Sequence, residues 1–284
     1  MASRRTLNAG NLETLGAKAL ADLLMAVSRG DAVIQRRLRL ALAAAEGTDG
    51  VAREVRKRLV SIARSTTFVD SAKRKALIAD LQAQREAISG PIAAADPDLA
   101  LELMVRFLEL ANGVMDRCGD TTGTVMHVFS QAVAELGTMA TAARVEPGTL
   151  AEQVADLLLA NGYGQFDALI PSLAAALGEE GLRSLERECR DRGAHDGHEV
   201  LLQIAECRGD VDGYVAQFDA EQLTWPMTAA DVANHLLVAG RAEQALAVLD
   251  QAAPGARAWH SPEWDNTRID VLEALGRGAE AQQL

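Results

Sequence analysis

The chain has 284 residues, 49% of them hydrophobic but only 4% aromatic, and a formal net charge of −12. That length allows one or two domains, and the Ala/Leu-rich, aromatic-poor composition excludes a sheet-built core in favour of helices. Charge is uneven: residues 1–90 carry 16 Lys+Arg and 9 Asp+Glu, whereas residues 91–284 carry 12 and 31. Such a split fits an anionic partner for the amino-terminal third, or attraction between the two halves.

The start, MASRRTLNAG, has positive charge with no apolar run behind it, so it does not read as a signal peptide. Next, Leu12, Leu15, Ala19, Leu20, Leu23, Leu24 and Val27 form one helical stripe, which Gly30 stops. Helices are expected near 31–46, 50–65 and 71–89; Asp70 or Ser71 can cap the last, and Gly90-Pro91 is expected to end it. Asp96-Pro97 opens a long apolar helix toward Arg117, an oxygen acceptor followed by a proline where no amide bond is lost. Glu102, Arg106 and Glu109 interrupt its apolar run, which argues against a membrane span. The polar break RCGDTTG then leads into TVMHVFSQAVAELGTMATAA.

The segment RVEPGT, with Thr149 and Glu152 spaced as a capping box, is the best internal boundary. Beyond it the helices shorten and glycine turns recur. GRAEQALAVL (240–249) and GRGAEAQQL (276–284) both place alanine five residues and leucine eight residues after a turn glycine: Ala245 and Leu249, then Ala281 and Leu284. LQIAECRGDVDGYV and LLLANGYGQFDAL repeat only the order apolar helix, glycine turn, helix. The glycine spacing resembles that of tetratricopeptide hairpins, without that motif's aromatic positions. The expected fold class is therefore all-α: a helical-repeat (α-solenoid, tetratricopeptide-like) array of antiparallel helix pairs. An amino-terminal helical domain with a basic surface covers 1–147, and the hairpins cover 148–284. Because the sequence stops at Leu284, midway through a hairpin, the last unit is expected to be incomplete or covered by another chain.

From about Asn8 to about Arg192, the order LETLGAKALADLL, AREVRKRL, FVDSAKRKALIADL, DPDLALELMVRFLELA, RCGDTTGTVMHVF, NGYGQFDAL and LGEEGLRSL resembles an uncharacterised family of bacterial helical proteins. The resemblance implies a helical fold and a bacterial source, with no assigned chemistry and no functional residues to carry over. Where relatives tend to have an acidic residue before the VF of TVMHVF, this chain has His127.

Four groups of residues invite a functional reading. Cys189, His195, His198 and Cys207 are zinc-ligand types within nineteen residues, but helical phase puts both cysteines on apolar stripes. An odd three cysteines also fits a reducing cytoplasm better than a disulfide framework. Asp116, Asp120 and His127 flank RCGDTTG, where Thr121 or Thr122 is expected to cap the following helix; no catalytic residue is assigned. Arg53, Arg56 and Lys57 share a helix face and form a candidate anion or nucleic-acid surface, against a solvated or carboxylate-docked face as the bland alternative. Tyr163 and Phe166 either plug a hairpin junction or anchor a partner. No phosphate-cradling loop, nucleophile elbow or HExxH helix occurs, and no cofactor or metal is expected. The favoured function is a non-catalytic scaffold that binds a protein or peptide in the cytoplasm, with nucleic-acid or other anion binding, and an enzyme of unrecognised type, as alternatives.

Overall fold

The computed structural model describes residues 6–192, 197–252 and 261–282. Among these residues all extended regular structure is helical, as the composition requires. The one isolated β-bridge joins Val69 to Cys118, with the Val69 amide donating to Arg117 O at 2.8 Å. None of the described helices is long and apolar enough to cross a membrane. The chain forms two compact units, Met1–Ala176 and Leu177–Leu284.

The first unit contains α1 (Ala9–Glu13), α2 (Gly16–Ser28), α3 (Ala32–Glu46), α4 (Thr48–Ala63), α5 (Ser71–Ala87), α6 (Ala93–Ala95), α7 (Pro97–Leu108), α8 (Ala111–Met115), α9 (Thr124–Ala142) and α10 (Pro147–Leu159). Side-chain caps set several starts: Asp31 accepts from Val33 N and Ile34 N, Asp70 from Lys73 N, and Asp96 from Leu99 N. The centre is α7 against α9, where Phe107 and Phe129 meet at 5.3 Å and both are fully buried. Each such ring contributes roughly 1.5–3 kcal/mol by leaving water.

Several local expectations change. Gly90-Pro91 does not end the helix: residues Ile88–Ile92 form a π-helical turn that leads into α6, and the helical path stops only at Asp96. The wider turn accommodates a proline that lacks an amide donor. The helix from Asp96 does not reach Arg117 but breaks at Glu109–Leu110 between α7 and α8. The Thr149–Glu152 capping box does not form, because α10 begins three residues earlier, with Pro147 first and Glu146 at the cap position. α2 forms as its period predicts, yet its only buried residue is Ser28, and Leu15, Leu23, Leu24 and Val27 remain exposed.

α11 (Leu169–Arg192) changes direction at Gly178, whose φ of 55° and ψ of −171° are non-helical. The second unit then contains α12 (Gly197–Arg208), α13 (Val211–Val215), a 3₁₀ turn at Gln222–Thr224, α14 (Pro226–Val238), α15 (Ala242–Gln251), α16 (Pro262–Ala274) and α17 (Gly278–Ala281). Its core gathers Leu202, Ala229, Val232, Leu236, Ala245, Leu249, Trp264 and Val271, with Trp264 Nε1 donating to Leu249 O at 3.2 Å.

Three helix–glycine–helix turns in this unit share one hydrogen-bond pattern. Gly209, Gly240 and Gly276 have φ of 62°, 75° and 72°, the left-handed conformation that closes a helix. The next residue's amide reaches back to Ala205 O, Leu236 O and Leu272 O at 2.9, 2.9 and 2.8 Å. That residue's carbonyl starts the following helix by accepting from Tyr214 N, Ala245 N and Ala281 N, and all three of these residues are buried. Leu284, where the array was expected to stop unfinished, lies outside the described residues.

Candidate functional site

The residues singled out in the sequence are dispersed. On α4, Arg53 is exposed, Arg56 reaches Glu102 on α7 at 3.1 Å, and Lys57 pairs with Glu54 on its own helix at 2.7 Å. In the α10–α11 connection, Phe166 is buried, while Tyr163 is half-exposed and its hydroxyl donates to Asp116 Oδ1 at 2.6 Å. That bond is the main reason the Tyr163 phenol is harder to ionise than usual. Asp120, rather than Thr121 or Thr122, secures the start of α9 by accepting from Val125 N at 2.8 Å and Met126 N at 3.0 Å. His127 is exposed on α9. With Asp116 held by Tyr163 and Asp120 at a helix cap, these three do not converge.

The Cys–His cluster also separates. Cys189 is buried on α11, and burial pushes its thiol up to about 11. Cys207 is half-buried on α12, again with a raised thiol pKa chiefly from burial. His198 packs edge-on against Phe218 at 5.2 Å, and His195 lies outside the described residues. Among the described residues no three His, Cys, Asp or Glu side chains are placed to hold a metal ion.

Polar groups do converge in the second unit, around a cavity of about 420 Å³ between α12, α13 and α14. The glycine turn builds it. Gly209 ends α12, Asp210 caps α13 by accepting from Gly213 N at 2.8 Å, and the turn delivers Tyr214 beneath α14. Helical spacing on α14 then places Asp231, Asn234, His235 and Val238 along neighbouring rows. Tyr214 and His235 stack with centroids 3.9 Å apart and planes 19° from parallel. His235 Nδ1 lies 3.0 Å from Asp231 O, and Nε2 lies 3.0 Å from Glu206 Oε1. Both ring nitrogens therefore face oxygen atoms, one on its own helix and one on α12. The Tyr214 hydroxyl donates to Asp231 Oδ2; burial first, and then that bond, raise its pKa.

The cavity is lined by Ala205, Val211, Tyr214, Val238 and Ala239 on its apolar side and by Glu206, Asp210, Asn234 and His235 on its polar side. Val238 on the rim is 83% exposed. Serine, threonine and cysteine are absent from this lining, and the one acid–base pair, Glu206 with His235, is already joined. An apolar wall thus stands beside a rim bearing two carboxylates, a surface that can take a group apolar along its length and cationic at its end. None of the lining residues was marked as a binding site in the sequence. The signal available was the recurring glycine turn, which brings Tyr214 under α14.

A family model described as "Family of unknown function (DUF6880)" matches residues 2–199 and 187–284. No curated protein and no solved structure matches the chain.

Proposed function

This chain belongs to that family of unknown function, and from that premise we propose a helical-repeat scaffold, with tetratricopeptide-like hairpins in its second unit, that binds peptides. The binding surface in this reading is the α12–α14 cavity, and its partner is a peptide presenting Lys or Arg beside an apolar side chain. The observation that carries the reading is the joint placement of exposed Val238, the Tyr214–His235 stack and the carboxylates of Glu206 and Asp210 around one concavity. The shared geometry of the turns at Gly209, Gly240 and Gly276 supports a repeat origin. Charge supports the choice of partner: residues 177–284 hold 9 Lys+Arg against 20 Asp+Glu, a field that draws basic segments. A cytoplasmic setting, inferred from the unpaired cysteines, belongs to the same proposal.

The alternative anion surface through Arg53, Arg56 and Lys57 is weaker, because Glu102 and Glu54 hold two of its three cations. Selection of a randomised peptide library on the full chain tests the peptide reading. Enriched peptides should pair Lys or Arg with Leu, Met or Phe. Val238→Arg should abolish their binding while leaving the helical circular dichroism unchanged. Enrichment of acidic peptides, or full binding by the Val238→Arg chain, would refute it.

A further inference from the structure

A second concavity, in the first unit, has the opposite character. It measures about 150 Å³ and lies between α3, α4 and α5, lined by Arg36, Arg39, Lys57, Arg58, Ser61 and Gln84 together with Leu40 and Glu54. Four cations and one carboxylate therefore share its wall; the carboxylate, Glu54, pairs with Lys57 at 2.7 Å and leaves the three arginines in excess. The volume is well below the roughly 300–1,000 Å³ of pockets for drug-sized ligands, yet several times the roughly 30 Å³ of a water molecule.

The cations are held in place from behind. Asp80 on α5 is 2% exposed, and its Oδ2 accepts from Arg58 Nε at 2.7 Å, is paired with Arg58 Nη2 and lies 3.3 Å from Arg36 Nη2. One carboxylate thus fixes two guanidinium groups and leaves one positive charge of the trio uncompensated. Arg58 Nη1 also donates to Ser61 Oγ at 3.1 Å. Arg39 is exposed at the rim and has no carboxylate partner among the described residues. Two buried polar atoms on these lining residues have no hydrogen-bond partner: the Arg36 Nε donor and the Gln84 Oε1 acceptor. Gln84 is 1% exposed, and its amide nitrogen already points to Asp80 Oδ1. Native structures leave few buried polar groups unmatched, and this small cationic cavity has one donor and one acceptor open among its lining residues.

We propose that this cavity binds a single tetrahedral phosphate group, either as the free ion or as the head of a small phosphomonoester. A protonated phosphate offers what the site lacks: oxygens to accept from guanidinium and ammonium groups, and one P–O–H able to donate toward Gln84. The site shares Lys57 with the α4 face described above, but neither Arg53 nor Arg56 lines it, and it does not depend on the peptide reading of the second unit.

Titration calorimetry of the full chain tests this, with inorganic phosphate in one arm and glycerol phosphate in the other. One site per chain is expected in at least one arm, and the tighter arm identifies the source of the phosphate. Arg39→Ala and Lys57→Ala should each weaken binding at least about tenfold, as loss of one charge-assisted contact does. Both side chains lie at the exposed edge, so neither change should disturb Asp80; equal thermal midpoints would verify this. Arg53→Ala, on the same helix but outside the cavity, should bind as the parent does. Absence of binding at millimolar phosphate overturns the proposal, as does equal weakening by Arg53→Ala. Retention of duplex RNA that excess phosphate fails to displace would instead mark a polynucleotide surface and also overturn it.

Discussion

Cys189 was first notable as a candidate ligand, and its position on α11 gives it a different role. The side chain is 4% exposed, and burial is the main cause that raises its pKa from 9.0 to about 11; Arg192 opposes the shift and Glu188 adds to it. A neutral buried thiol stabilises the fold only while the unfolded chain also keeps its proton. Because the folded value is the higher one, that contribution is complete below pH 9 and disappears as pH rises toward 11. Cys118, Cys207 and Tyr214 shift in the same direction, each chiefly through burial, so their effects add. Urea unfolding should therefore show a steady loss of stability above pH 9, with Cys189 alone accounting for on the order of 2 kcal/mol. Cys189→Ala should flatten the slope. An unchanged slope in that variant would mean that the thiol ionises equally readily in both states.

At the level of elements, the closest approach argued from the backbone is α9 against the first turn of α11. A Cβ built on Gly137 would lie 2.0 Å from Ser172 O and 3.1 Å from its carbonyl carbon. Backbone cannot swing aside as a side chain can, so Gly137→Ala should cost about 3 kcal/mol or more by forcing the two helices apart. Gly113→Ala in α8, where the added atom meets nothing within 4 Å, should be neutral or slightly stabilising. Chemical denaturation of the two variants side by side distinguishes packing from general glycine effects. The sequence shows none of this, because a glycine within a helix looks the same whether it faces a neighbour or solvent. What could be read locally was what local physics decides. The caps at Asp70 and Asp96 and the turns at Gly240 and Gly276 follow from hydrogen bonds a few residues long. The π-helical turn through Pro91 and the exposed stripe of α2 depend on what packs alongside, and neither leaves a mark in the sequence. The α12–α14 cavity was hidden for the same reason. Its polar groups run from Glu206 to His235 on separate helices, with no short spacing to search for. The Asp80 trio behind the basic cavity likewise joins α3, α4 and α5 across 44 residues of chain.

At the level of the whole molecule, the charge asymmetry seen first as basic against acidic resolves into nearly neutral against acidic once it is counted by compact unit. Residues 1–176 hold 19 Lys+Arg and 20 Asp+Glu, a net of −1, whereas residues 177–284 hold 9 and 20, a net of −11. The second unit also uses its arginines in local clusters. Arg208 alone contacts Glu179 at 3.1 Å, Glu186 at 2.9 Å and Asp210 at 3.5 Å. Salt acts on two opposed effects here, since it screens these attractions and also screens repulsion among the excess carboxylates. Most of the pairs are partly exposed, and exposed pairs contribute only about 0–1 kcal/mol each. The uncompensated charge is spread through the whole unit, so relief of repulsion should win. Raising sodium chloride from about 0.05 M to about 0.5 M shortens the screening length from about 14 Å to about 4 Å, less than the typical spacing between surface charges. Hydrogen exchange on the intact chain reads the two units separately. Exchange of amides in α14, α15 and α16 should slow in high salt, corresponding to a gain of about 0.5–1 kcal/mol in opening free energy. Amides in α7 and α9 should change little, because the unit that contains them carries almost no net charge. Faster exchange in α14–α16 at high salt would show that the Arg208-type clusters, and not the excess charge, govern the stability of the acidic unit.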